Sequence, residues 1–429
     1  MKRVAFITLG CKVNTYETEG MKRLFEQAGY IVVEPDISAD VYVINTCTVT
    51  HLSDRKSRQM IRRARRLNPD AIIAAVGCYA QIAPEEVSSI EGVNLVIGNN
   101  HKSEIIDLVN RASCDSQKVE VSLRKDMRTF EELWAESYTD QTRAFLKIQD
   151  GCDQFCSYCI IPFARGSIRS RNIDSIIAEA NKLSQNGFKE IVLTGIHLTS
   201  YGNDTGEHTL IDVIERLNDI DGLERIRLGS LEPLYMTEEM IRDMSEIEKL
   251  CPHFHLSLQS GCDETLRRMN RKYTTAEYRE IVENIRKYFD DPAITTDIMT
   301  GFPGETEDEF RQTCIFVEAI EFSQIHVFQY SVRKGTKAAD MKEQIPPMLK
   351  EERSKKLVEI SEMSAHNFRQ KQIGKTARVL IEDKHKDYYQ GHTENYLPVR
   401  VVFEDDICGK VLSVKLIKNT KEYIIGKIV

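Results

Sequence analysis

The chain has 429 residues, of which 41% are hydrophobic and 29% charged, a balance that suits a globular protein of about three domains. Its 58 basic and 66 acidic residues leave a net charge of −8, so nucleic-acid contact must come from local basic patches and not from the chain as a whole. No apolar run approaches the roughly 18 to 20 residues of a membrane helix, and the short stretch after Lys2 and Arg3 lacks the cleavage site of a secretion signal.

A cytoplasmic location is expected, where eleven cysteines stay reduced and thiol clusters point to metal or redox chemistry. From the N-terminus, "RVAFITLG" (3–10), "DVYVINT" (40–46), "AIIAAVG" (71–77) and the weaker "VNLVIG" (93–98) read as strands. "ETEGMKRLFEQAG" and "SRQMIRRARRLN" lie between them with helical periodicity. Such alternation predicts a parallel α/β sheet over residues 1–112. Cys11, Cys47 and Cys78 each follow one of the first three strands. The carboxyl ends of parallel strands share an edge, so these distant thiols can meet there. Three small buried cysteines at strand ends is the alternative.

Residues 113–142 are polar and irregular and are expected to be a linker. A second βα series occupies 143–370. Its strands are "RAFLKIQ" (143–149), "EIVLTG" (190–195), "RIRLGS" (225–230), "HFHLSLQ" (253–259), "ITTDIMTGF" (294–302) and "IHVFQYS" (325–331). Helical patterns separate them; over 173–187, Ile173, Ile176, Ile177, Ala180 and Leu183 share a face behind Asn172 as N-cap. Six strands with helices between predict a (β/α)6 partial barrel. From 371 onward, "KTARVLIED", "LPVRVVFED" and "KVLSVKLIKN" alternate without helices and predict a small all-β domain, 371–429, with eleven basic and eight acidic residues.

"GCDQFCSYC" (151–159) follows the first strand of the partial barrel, on the face where barrel enzymes place their chemistry. Cys152, Cys156 and Cys159 are one thiol short of a closed structural zinc site, and no histidine is nearby. On a four-iron cube they leave one iron open. A zinc site completed from a distance, or a merely cysteine-rich loop, is the alternative. Cys114, Cys251, Cys262, Cys314 and Cys408 belong to no constellation and read as structural.

This loop on a six-stranded barrel resembles the radical S-adenosylmethionine (SAM) superfamily. With "LGCKVN", "NTC", "VGC", "GCDQFCSYCIIPFARG", "LSLQSG" and "YSVRKGT" in order, nearly the whole chain resembles the methylthiotransferases. "LGCKVNTYE" and "NTCTVTHLSDRKSRQ" look most like the branch acting on N6-threonylcarbamoyladenosine in tRNA. The resemblance implies two [4Fe-4S] clusters and SAM as cofactors. Cys152, Cys156 and Cys159 would hold the cluster that cleaves SAM to a deoxyadenosyl radical. Cys11, Cys47 and Cys78 would hold an auxiliary cluster carrying the sulfur that a second SAM methylates. The product implied is 2-methylthio-N6-threonylcarbamoyladenosine, next to the anticodon.

Gly195, Glu232 and Gln259, at barrel strand ends, are expected in the SAM pocket, and "GFPGETE" (301–307) is a turn into a helix near it. His253 and His255 share a strand face, with too few companions for zinc. RNA contact is expected from Arg55, Arg58, Arg62, Arg63 and Arg66 in the run 55–66, which also holds Lys56 and Arg65, and from Arg267 and Arg271; a solvated basic face is the alternative. The terminal domain resembles the RNA-binding TRAM module, with Tyr388, Tyr389 and Tyr396 either stacking on bases or packing its core. The expected partners are tRNA and an electron-donating protein, with no membrane and no DNA. Methylthiolation of isopentenyladenosine in tRNA or of a ribosomal protein is the alternative within this chemistry. A non-catalytic, zinc-stabilised RNA-binding protein is the alternative outside it.

Overall fold

The structure, a computed structural model, describes residues 1–112, 117–136, 138 and 142–429. Cys114 and part of the expected linker lie outside the described residues. The first unit is an all-parallel sheet of β1 (Arg3–Thr8), β2 (Ile31–Val33), β3 (Val41–Thr46), β4 (Ile72–Gly77), β5 (Leu95–Ile97) and β6 (Lys118–Glu120), in the order β2-β1-β3-β4-β5-β6. Side chains alternate between two cores. Val4, Phe6, Val43 and Val76 pack on one face; Ala5, Tyr42, Ile44 and Ile73 pack on the other. Burial on both faces explains why these strands read as unbroken apolar runs. β2 and β6 are three-residue edge strands, too short for a periodicity signal, and β6 lies inside the segment read as a linker.

The second unit contains β7 (Arg143–Lys147), the short antiparallel pair β8 (Gln149–Asp150) and β9 (Arg169–Ser170), and then β10 (Glu190–Thr194). These are followed by β11 (Arg225–Leu228), β12 (Ser230–Leu231), β13 (His253–Leu256), β14 (Ala293–Thr300) and β15 (Gln324–Gln329). β11-β10-β7 and β12-β13-β14-β15 are parallel sheets, and among the described residues Ile226 of β11 bridges to Leu250, just ahead of β13. Together they form a six-position partial barrel around an extensive apolar core. Gly301 turns at φ 69, and Thr306 caps the helix Glu307–Ile320, so "GFPGETE" is a turn entering a helix. A 25-residue helix, Pro347–Lys371, buries Leu357 and Ile360 against the barrel; its sparse apolar positions give no helical signature in the sequence.

The last unit is a closed barrel of β16 (Thr376–Lys384), β17 (Tyr389–Thr393), β18 (Pro398–Val401), β19 (Val411–Asn419) and β20 (Ile424–Ile428). It is docked at the amino ends of the partial-barrel strands. Arg225 donates to the carbonyls of Arg378 and His392, and Arg227 to those of Thr393 and Glu394. Among the described residues no helix is long and apolar enough to cross a membrane.

Candidate active site

The loop carrying Cys152, Cys156 and Cys159 opens at Gly151, whose φ is 74 and where a Cβ would lie 1.9 Å from the Ser167 carbonyl oxygen. Only glycine fits there. The Cys152 amide donates to the Gly166 carbonyl at 3.0 Å, and that of Cys159 to Cys156 at 2.9 Å. The loop is pinned from across the barrel. The Ser157 amide donates to the Met269 carbonyl at 2.9 Å, and Asn270 Nδ2 to the Phe155 carbonyl at 3.0 Å. Arg271 completes the frame, with Nη1 3.3 Å from Cys156 Sγ and Nη2 2.8 and 2.7 Å from the two oxygens of Glu232. Burial pushes the Cys152 thiol up to about 12 and raises that of Cys159. Such thiols give up their protons to a bound metal centre.

The structure brings Cys11, Cys47 and Cys78 together on the carboxyl edge of the first sheet. Cys11 follows β1 through Gly10, Cys47 follows β3, and Cys78 follows β4 through Gly77. Gly10 (φ 108) and Gly77 (φ 94) make the turns that aim the thiols. A Cβ on Gly10 would lie 3.1 Å from Cys47 Sγ, and Asn99 Nδ2 lies 3.4 Å from Cys78 Sγ. The three thiols act electrostatically on one another. Cys47 is buried, which raises its thiol, while Cys11 is exposed at the edge, with the Arg165 charge favouring its thiolate.

Between the two trios lies a buried charge network that no sequence motif announced. Arg165 Nη1 is 2.9 Å from Glu17 Oε1 and 3.1 Å from Asp150 Oδ1. Its Nη2 donates to Asn14 Oδ1 at 2.8 Å. Lys147 bridges Glu17 and Asp150 at 2.8 and 2.7 Å, Lys102 holds Glu17 at 2.7 Å, and Arg169 approaches Asp150 at 3.5 Å. Burial alone raises a carboxyl group, but Arg165, Lys102 and Lys147 overcome it and hold Glu17 well below its ordinary range. Four buried cations thus face two carboxylates. A cationic surplus this deep calls for further negative charge nearby, which thiolates at the two trios would supply. Arg165 is within charge range of both Cys11 and Cys78, six residues after Cys159.

A cavity of about 160 Å³ lies beside Cys159, with Val49 and Thr50, which follow Cys47 in the chain, on one side and Gln259, Met299 and Tyr330 on the other. Arg333 fixes this juxtaposition. From the barrel it reaches Asp54 Oδ2 at 2.6 Å and Thr48 Oγ1 at 2.5 Å. Gln259 sits at φ 70 with its buried Oε1 unbonded, and neither ring nitrogen of buried His197 has a partner among the described residues. Such orphaned groups fit a polar cofactor. Among the described residues no His, Cys, Asp or Glu trio is gathered as a single metal ion requires. Each trio offers three thiolates and no histidine, a donor set that suits a four-iron cluster with one iron left open.

Glu232 lies beside the loop but is engaged by Arg271, while Gly195 packs so close to Gln149 that a Cβ would sit 2.9 Å from its Oε1. Arg271 is a correction. It is buried, bound to Glu232 and Cys156, and has no face left for RNA. Arg55, Arg62 and Arg66 are exposed and unpaired among the described residues. Arg58 pairs with Glu86, Arg63 with Asp36 and Arg267 with Glu264. Tyr389 is core, half-buried Tyr388 stacks on His385, and Tyr396 is wedged against His253, His392, Arg143 and Arg227; neither Tyr389 nor Tyr396 is free to stack on bases. His255 bonds Thr295 and Asp297. Cys251 and Cys262 are buried, Cys314 is half-buried, and Cys408 is exposed, each apart from both trios.

Residues 146–317 match the family described as the radical SAM superfamily, and residues 3–98 match the one described as uncharacterized protein family UPF0004. A Bacillus subtilis (strain 168) protein named threonylcarbamoyladenosine tRNA methylthiotransferase MtaB is 41% identical, over 100% of this chain and 97% of the relative. One of the same name from Aquifex aeolicus (strain VF5) is 42% identical over 93% and 96%. A tRNA-2-methylthio-N(6)-dimethylallyladenosine synthase from Caldicellulosiruptor saccharolyticus is 34% identical over 100% and 93%. Among solved structures, the radical SAM methyltransferase TsrM from Kitasatospora setae, with cobalamin and a [4Fe-4S] cluster bound, aligns at TM-score 0.57 and 16% identity. That alignment covers 79% of this chain and 77% of TsrM, a likeness of fold alone.

Proposed function

Because this chain belongs to the radical SAM methylthiotransferases, we infer that it inserts a methylthio group at carbon 2 of N6-threonylcarbamoyladenosine in tRNA, beside the anticodon. The observation that carries this reading is identity of 35–42%, over at least 93% of this chain, to relatives named for that reaction, against 33–34% for those named for the dimethylallyl (isopentenyl) substrate. Membership replaces the non-catalytic zinc reading.

SAM and two iron–sulfur clusters, when bound, supply the radical and the sulfur for replacing an unactivated C–H, which acid–base side chains cannot do. In this proposal Cys152, Cys156 and Cys159 hold the radical-generating cluster and Cys11, Cys47 and Cys78 the auxiliary one. Arg165, Lys102, Lys147 and Arg169 offset the negative charge of the thiolates and exclude water between the trios. Arg271 orients the loop through Cys156. Gln259, with its free oxygen in the cavity, is placed to bind SAM, and Glu232 and Gly195 shape the neighbouring wall. Arg55, Arg62 and Arg66 meet tRNA phosphates, with Arg58, Arg63 and Arg267 at the margin. An electron-donating protein supplies reducing equivalents, and the setting is the cytoplasm.

The test is anaerobic reconstitution with iron and sulfide, then incubation with SAM, a reductant and tRNA bearing N6-threonylcarbamoyladenosine, with nucleosides read by mass spectrometry. The 2-methylthio product is expected. Unchanged N6-threonylcarbamoyladenosine, alongside conversion of isopentenyladenosine in a parallel tRNA, transfers the assignment to the other branch.

A further inference from the structure

The cavity beside Cys159 opens to solvent where the first two units meet. Val49 lines it from the first unit and Ser331 from the second, and Val49 is also 53% exposed. A side chain that faces both the cavity and solvent stands at the mouth. The His51 amide donates to Ser331 Oγ at 3.3 Å, so the two sides of the mouth are joined there. Leu52 follows at 58% exposure, and Val332, next to Ser331, at 37%. Val49, Leu52 and Val332 belong to none of the apolar cores among the described residues. The mouth therefore carries an exposed aliphatic rim.

Leu52 also begins a stripe. The helix His51–Leu67 buries Asp54, Ser57, Ile61 and Ala64, and Asp54 is tied to Arg333 of the second unit at 2.6 Å. On its other side Leu52, Arg55, Gln59, Arg62 and Arg66 recur every three or four residues and are all exposed. That spacing puts them on one face of the helix. Arg55, Arg62 and Arg66 have no ion pair or hydrogen bond among the described residues, in a chain whose net charge is −8. With a rise of about 1.5 Å per residue, Arg66 lies roughly 16 Å beyond Arg55, a span of several phosphates along one strand. A row of unpaired guanidiniums leading to an aliphatic tip at a cavity mouth matches single-stranded RNA. Phosphates answer the charge, and the faces of unstacked bases answer the tip.

We propose that Leu52, flanked by Val49 and Val332, is a wedge that fills the gap left in the anticodon loop by an extruded adenosine, while Arg55, Arg62 and Arg66 hold the phosphates of the strand running away from it. This rests on the proposed function and deepens it, by making an unstacked nucleotide the form of substrate that the mouth accepts. Chemistry at a ring carbon of adenine, between two protein units, requires the base to leave its stack. Leaving costs stacking on both sides of the gap, and an aliphatic side chain inserted there recovers part of that cost.

The test uses full-length, cluster-loaded protein and an anticodon stem-loop RNA carrying N6-threonylcarbamoyladenosine, with 2-aminopurine as the nucleotide on its 3′ side. The fluorescence of 2-aminopurine rises when a neighbouring base leaves the stack, so extrusion is read without turnover. Binding to the unmutated protein is expected to raise it several-fold. Leu52→Ser, at an exposed position outside the cores, is expected to lose more than half of that rise, and Leu52→Met to keep it. Changing Arg55, Arg62 and Arg66 together to Gln is expected to weaken binding and to flatten the log–log salt dependence by about two, the share of three phosphate contacts on a single strand. An unmutated protein that binds and modifies the RNA without a fluorescence rise overturns this inference alone, and needs no variant to fold. A Leu52→Ser protein that keeps the full rise overturns the wedge, and an unchanged salt dependence in the triple variant overturns the strand path. Failure of the unmutated protein to bind and modify this RNA overturns the proposed function and this inference together.

Discussion

A Cβ on Gly10 would press against Cys47 Cβ at 2.9 Å, in backbone at φ 108 that costs an L side chain roughly 1–3 kcal/mol. Gly10→Ala is expected to disturb the Cys11, Cys47, Cys78 trio and leave the other intact, so that about half the iron is lost from two equal cubes. Iron analysis after anaerobic reconstitution reads this directly, and full iron content contradicts it. His197 offers a different handle. Burial, and then Arg271, lower its pKa from 6.5 to about 4. Between those values the unfolded chain binds a proton that the folded chain refuses, so stability is lost as pH falls through this window. The span amounts to roughly 3 kcal/mol. Urea unfolding at a series of pH values is expected to show a flatter dependence for His197→Leu than for the parent; equal slopes contradict the assignment.

Among the elements, the joint between sheet and partial barrel rests on Arg333, in the strap after β15, reaching Asp54 and Thr48 beside Cys47. Arg333→Met leaves Asp54 buried without its cation, a loss of about 3–5 kcal/mol for a buried pair broken from one side. It also frees the two units to shift. SAM cleavage, served by the barrel's own loop, is expected to persist while methylthio product falls at least tenfold; parallel loss of both contradicts this division of labour. The strands were legible because burial on one or both faces writes long apolar runs, and the thiol loop because ligand spacing is local. Arg165, Lys102 and Arg333 are not legible. Arg165 and Arg333 act across a boundary between units, Lys102 reaches Glu17 across 85 residues of the first unit, and a lone basic residue carries no periodicity to mark it. Arg271 misled for the same reason: its neighbours Arg267 and Lys272 make it look like part of a surface patch, while its partners Glu232 and Cys156 are far away in sequence.

Over the whole molecule, the C-terminal barrel is built into the partial barrel, because Arg225 and Arg227 dock on its carbonyls and Tyr396 packs against His253 and Arg227. The first two units carry a thiol trio each, with a cationic network between them and the C-terminal barrel docked on the second. The most direct test of that arrangement is the iron content and Mössbauer spectrum of the parent beside two variants, one with Cys152, Cys156 and Cys159 changed to Ala and one with Cys11, Cys47 and Cys78 changed to Ala. Two independent cubes predict about eight irons in the parent and about four in each variant, all as four-iron clusters. A variant that keeps the full complement, or one that loses all its iron, contradicts the account.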